Sequence, residues 1–167
     1  VCAADTRDDG ETGSHIRRLG LYSELMARHL GWDQDHIDEI RIAAPMHDIG
    51  KIGIPDSILK KPGKLTVDEY CIMQTHPQVG ANILSNSKIS LVQMAKSISL
   101  GHHEKWDGSG YPNGLAGEDI PISARIVAIV DVFDALIHKR VYKEEMTVDK
   151  AIQILIEGRG THFDPQL

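Results

Sequence analysis

The sequence predicts an all-α fold, and three observations carry that reading. Apolar residues recur every three to four positions along most of the chain, strand-like alternation is scarce, and helix start and stop residues punctuate the pattern at regular intervals. With 167 residues, 41% of them hydrophobic, the chain is long enough to bury a sizeable core as one compact unit.

A first helix is predicted from about Gly13 to Leu30, with Ile16, Leu19, Leu25, Met26 and Leu30 on or near one side and Gly31 as its stop. Asp33 can cap the second, which carries Ile37, Ile40, Ile42 and Ala44 towards His47 and is expected to end at Gly50. Pro45 removes a backbone donor inside it, so a kink is expected one turn before the histidine. "GIPDSILKKPGKLT" reads as a loop with one short helical turn. Thr66 and Glu69 form a capping-box signature that opens a helix through about Leu84. A further helix is expected from about Lys88 to His102, and "EKWDGSGYPNGLAGEDIP" is a long glycine-rich loop. Pro121 suits the first turn of a helix to about Lys139, and Thr147 caps a last one to about Glu157.

Charge and composition exclude several functions. The 24 acidic and 18 basic residues leave a net charge of -6, which argues against a general surface for polymeric nucleic acid. The two cysteines, Cys2 and Cys71, are far apart and form no CxxC pair, so a reducing cytoplasm fits better than a disulfide framework. The longest apolar stretch, "ARIVAIVDVFDALI", is too short and too charged to span a bilayer, and the chain carries no signal-peptide pattern. Membrane contact by this domain is therefore not expected.

The chemistry-bearing residues are histidines and carboxylates. Of nine histidines, five fall at helix ends or on predicted inner faces: His15, His47, His76, His102 and His103. The remaining four, His29, His36, His138 and His162, show no comparable acidic neighbour. His47 and Asp48 are adjacent, so in a regular helix they point about 100° apart and meet only at something placed between them. A metal ion suits both ligand types; the alternative is that Asp48 caps a neighbouring backbone and His47 bonds a carbonyl. Asp131 and Asp134 stand one turn apart in an apolar helix, where an unpaired carboxylate is costly. Glu11 lies four residues before His15 and could share its face, or simply favour the helix dipole. Five histidines with Glu11, Asp48 and Asp131 are too many ligands for one ion. They suit two or three divalent ions, and the absence of thiolate favours iron or manganese without excluding zinc, nickel or cobalt.

These residues also sit in a recognisable order: "ETGSHIRRLG", "HDIGKIGIPDSIL", "THPQVG", "HHEKWDGSGYP", "RIVAIVDVFDAL" and "KRVYK". The order resembles the HD-GYP family, a branch of the HD-domain phosphohydrolases, over nearly the whole chain. The resemblance implies a bundle of about six to seven helices around a multinuclear metal site. It implies hydrolysis of cyclic di-GMP to pGpG and often to GMP. It makes His15, His47, Asp48 and Asp131 ligands of one metal, with Asp48 bridging to a second held by His76, His102 and His103, and Glu11 matches an acid that some members use for a third. By the same carry-over Lys51 meets the scissile phosphate, Gly110, Tyr111 and Pro112 form the GYP element with Tyr111 facing the nucleotide, and Arg140 and Lys143 grip the ligand. Val141 departs from the family's usual proline, and His138 replaces a small hydroxyl residue.

Residues 1–167 are thus expected to form a single HD-GYP domain, part of a longer protein with an upstream sensory or receiver domain, and to work as a homodimer or with a GGDEF-type signalling partner. The glycine-rich loop around Tyr111 is expected to act as a movable wall, and Trp106 is read as a packing residue. Two other readings stand beside cyclic di-GMP hydrolysis: the same chemistry on 3'3'-cGAMP, and a silent receptor for a cyclic dinucleotide. A diiron oxygen-handling bundle fits poorly, because its Glu-x-x-His pairs are absent.

Overall fold

The computed structural model describes residues 13–138 and 146–167. Among them the regular structure is helical, with two isolated β-bridges and no strand. The α-helices are α1 (Ser14–His29), α2 (Gln34–Ala43), α3 (Asp56–Leu59), α4 (Val67–Met73), α5 (His76–Ile83), α6 (Ser90–Gly101), α7 (Ile122–Ile137) and α8 (Val148–Glu157). Caps fall where the sequence places them. Asp33 accepts from the His36 amide, Thr66 and Glu69 complete their capping box, and Thr147 accepts from the Lys150 amide.

Two helices end earlier than periodicity suggests, and proline is the cause both times. The second helix stops at Ala43 and continues as tight turns, Ala44–Met46 and Ile49–Gly53, because Pro45 supplies no amide for the Arg41 carbonyl. That carbonyl lies so close to α1 that a Cβ on Gly20 would meet it at 2.6 Å. The helix opened by Thr66 breaks at Met73 and resumes at His76, since Pro77 cannot bond the Met73 carbonyl.

The main core joins α1, α2, α6 and α7 through Leu19, Ala27, Ile37, Ile40, Ala43, Ala95, Ile98, Ile126, Val127 and Val130. A smaller cluster of Ile54, Ile58 and Leu59 takes Leu65 and Met73. The turn after Asp48 crosses α5 almost backbone to backbone: a Cβ on Gly50 would lie 1.9 Å from the His76 carbonyl oxygen. Only glycine permits this approach, and it draws the turn that follows Asp48 against the start of the helix that begins with His76. Among the described residues, no helix is long and apolar enough to cross a membrane.

Candidate metal centre

His47 ends the turn that Pro45 forces, and its Nδ1 sits 3.1 Å from the Ala44 carbonyl. His76 follows the break before Pro77, and its Nδ1 takes the Met73 carbonyl at 2.8 Å. His102 caps α6, with Nδ1 3.0 Å from the Ser99 carbonyl. A carbonyl only accepts, so each Nδ1 carries a proton, and in the neutral ring Nε2 is the nitrogen with the lone pair. The turns at these helix ends therefore orient the three rings.

Those lone pairs converge on Asp48. Its Oδ1 lies 3.2 Å from His76 Nε2 and 3.6 Å from His102 Nε2, while Oδ2 lies 3.0 Å from His47 Nε2 and 2.9 Å from Lys51 Nζ. The two oxygens of one carboxylate thus face two groups of ligands. One group is Asp48, His76, His102 and His103; the other is His15, His47 and Asp131, and within each the ligating atoms lie within 4.8 Å of one another. His47 Nε2 and Asp48 Oδ1 are buried with no hydrogen-bond partner. Acceptors facing acceptors in a buried site need a cation between them, so this donor set fits divalent metal ions.

Electrostatics agree with that requirement. Burial opposes ionisation of Asp48, but Lys51 and His47 hold its carboxyl well below the ordinary range. Burial also works against a charge on His47, yet Asp48 and then Asp131 raise its pKa to about 9. A proton there occupies the place a metal would take. Burial, reinforced by neighbouring imidazoles, pushes His102 and His103 down, which keeps them neutral and ready to ligate.

Behind the second group stands a residue to which the sequence analysis assigned no role. His15 Nδ1 donates to Asp134 Oδ2 at 2.7 Å, and Arg18 clamps the same carboxylate from Nε at 2.6 Å and Nη2 at 2.9 Å. His15 Nε2 is left 3.7 Å from Asp131. Burial would raise the Asp134 carboxyl, but His15 and Arg18 bring it down to about 2. The readable signal was a pair of i, i+3 spacings, His15 with Arg18 and Asp131 with Asp134, which a helix places on single faces.

Two of the outer histidines also meet carboxylates. His36 pairs with Asp33 at 2.6 Å, because the capping residue lies one turn before it, and His138 reaches Asp134 at 3.2 Å across one turn of α7.

The glycine-rich loop is tied to its surroundings by hydrogen bonds. Glu104, 2% exposed, accepts the amides of Asn113 at 2.7 Å and Leu115 at 3.0 Å. The Gly117 amide bonds the Trp106 carbonyl, and the amides of Trp106 and Asp107 bond the carbonyls of His162 and Thr161. Arg125 lies over the Trp106 ring, 5.7 Å from its centroid, and pairs with Asp164. Gly110 presses on the backbone of Glu104 and Lys105, where a Cβ would come within 2.3 Å of the Lys105 nitrogen. Tyr111 joins Pro112 through a cis peptide, and its ring stacks on His103 with centroids 4.7 Å apart. Burial first, then Tyr70 and Asp48, push the Tyr111 phenol upward. Glu11, Arg140 and Lys143 lie outside the described residues.

Comparison with known proteins follows the same lines. Residues 7–167 match the family described as HD domain. The chain is 54% identical over 157 residues to 3'3'-cGAMP-specific phosphodiesterase 2 of Vibrio cholerae, covering 94% of this chain and 30% of that protein. It is 50% identical over 158 residues to the cyclic di-GMP phosphodiesterase response regulator RpfG of Xanthomonas campestris, covering 95% of this chain and 42% of the relative. The chain therefore spans less than half the length of these relatives. Among solved structures, an HDG"Y"P protein from Bdellovibrio bacteriovorus superposes with a TM-score of 0.68 at 24% identity, over 89% of this chain and 47% of that one; at that identity the likeness speaks for the fold.

Proposed function

The chain belongs to the HD domain family, in its HD-GYP branch, and from that premise we propose that it is a metal-dependent phosphodiesterase hydrolysing cyclic di-GMP to pGpG and onward to GMP. The observation that carries this reading is Asp48, whose two oxygens face two separate groups of metal-ligand side chains. In this reading His15, His47, Asp48 and Asp131 hold one ion, and Asp48, His76, His102 and His103 a second. Glu11 serves a third where one binds. Iron or manganese suits the mixed imidazole and carboxylate set. When bound, divalent ions supply Lewis acidity to the phosphodiester and its attacking water.

The chain's own residues do the rest. Asp48 keeps its negative charge beside His47 and so joins the two ligand groups. Lys51, 2.9 Å from Asp48, brings a cation to the place where phosphoryl charge develops. Tyr111, stacked on His103, walls one side of the site, and Gly110 and Pro112 shape the turn that holds it. Arg140 and Lys143 contribute cations for the ligand. These local charges let a protein of net charge -6 accept an anionic dinucleotide. The domain acts in the cytoplasm, within a longer signalling protein whose sensory or receiver portion sets its activity, as a homodimer or beside a GGDEF-type partner.

The test is a discontinuous assay on protein loaded anaerobically with iron(II) or manganese(II), with chromatography to resolve pGpG from GMP. Metal-dependent product from the wild-type protein, absent together with bound metal in a helical Asp48→Ala variant, is the expected result. No product from a protein holding two metals per chain overturns it. Turnover of 3'3'-cGAMP alone would move the assignment to the substrate named for the 54%-identical relative, and binding without turnover would move it to a receptor.

A further inference from the structure

Tyr70 stands beside the site with no part in the mechanism above. It lies on α4, a helix with no buried residue, and is 48% exposed. The small apolar cluster beneath that helix takes Met73 and Leu65, and Tyr70 belongs to neither hydrophobic cluster. Core packing therefore does not explain the ring.

Its contact points towards the metal centre. Tyr70 meets Tyr111 with centroids 6.4 Å apart and planes at 76°. Tyr111 lies almost parallel to His103 at 23°, and His103 belongs to the Asp48 ligand group. Three rings thus step outward from the ligand cluster to solvent. Glu104 holds the loop that carries the middle ring by two backbone amides, so the corner between the tyrosines exists before any ligand arrives.

We propose that Tyr70 and Tyr111 form an aromatic corner that receives a nucleobase of the substrate, which makes Tyr70 a base-binding residue. The inference rests on the cyclic dinucleotide reading above. A dinucleotide whose phosphodiester lies at the ligand cluster must place a purine beside it, and an aromatic ring offers that base a flat apolar surface. Stacking is tolerant of base identity, because every base has a π-face. Tyr70 therefore adds affinity without choosing guanine over adenine.

Steady-state kinetics of Tyr70→Ala and Tyr70→Phe on metal-loaded protein test this, with metal per chain and helical circular dichroism measured alongside. Loss of one stacked base is expected to raise KM about 5- to 150-fold, by similar factors for cyclic di-GMP and 3'3'-cGAMP. The expected kcat, metal content and helicity are those of the wild type, and phenylalanine restores KM because it restores the ring. Wild-type turnover with the alanine variant's KM within twofold overturns the role of Tyr70 alone. A raised KM that phenylalanine does not rescue overturns stacking in favour of the hydroxyl. Lost metal with lowered kcat overturns it in favour of a structural part. A wild-type protein that turns over neither dinucleotide removes both this inference and the function on which it rests.

Discussion

Replacing Asp134 by asparagine keeps the shape of a buried side chain and removes the charge that His15 and Arg18 share. The size of the effect follows from the depressed carboxyl and from the cation left behind. A carboxyl held at about 2 in the folded protein against an ordinary 3.8 corresponds to about 2 kcal/mol of stability at neutral pH. Breaking a buried pair from one side also leaves the other ion uncompensated, which raises the cost to roughly 3–5 kcal/mol; Arg18 keeps 21% of its side chain in solvent, so the lower end applies. A loss of about 3 kcal/mol, with a urea dependence of about 2 kcal/mol per molar, lowers the unfolding midpoint by about 1.5 M. The sign with pH is determined by the depressed value: the wild-type advantage is full above about 3.8 and is lost as pH falls through about 2. Asparagine also leaves a single uncharged acceptor oxygen for His15 and Arg18 to share, and loss of such an orienting carboxylate weakens metal affinity about 10- to 100-fold. Urea denaturation of metal-free protein at pH 7, with competitive metal titration of both proteins, reads both effects. An Asp134→Asn variant with wild-type midpoint and wild-type metal affinity would refute the reasoning.

Lys51→Met is expected to lower kcat about 100- to 1000-fold, the range for removing one group that stabilises transition-state charge, while metal content is unchanged; a kcat within threefold of wild type would remove Lys51 from the chemistry. Because His47 in the metal-free protein keeps its proton up to about 9, metal binding must displace that proton. Apparent affinity for manganese is therefore expected to rise with pH between 6.5 and 8.5, by up to about tenfold per unit. Calorimetry in two buffers of different ionisation enthalpy should show the released proton, and a flat affinity over that range would contradict the raised His47 value.

Helix content, most helix boundaries and the histidines and carboxylates that gather around Asp48 were legible from the sequence, because they depend on local rules. Apolar residues at helical spacing need a buried face, Thr66 with Glu69 caps its own turn, and adjacent His47 and Asp48 cannot both satisfy themselves in a regular helix. Pro45 and Pro77 were legible as missing donors, but their consequence was not. Each cuts a helix short, and the carbonyls at those ends orient His47 and His76. Likewise, Gly50 reads as a stop signal, whereas its contact with the His76 carbonyl, at a distance no side chain would permit, depends on α5 arriving from more than twenty residues away.

The sequence by itself determined that five histidines and their carboxylates had to be paired or ligated, since a chain with this apolar pattern buries them and burial without a partner is too costly. The tertiary structure decided the sharing. It turned one Asp48 oxygen to each ligand group, assigned Asp134 to His15 and Arg18, fastened the Tyr111 loop with Glu104 and left Tyr70 in solvent beside it. Distances of 3 Å between residues far apart in the chain follow from how helices cross, and helix crossing is set by the summed packing of all their faces, which no local spacing encodes.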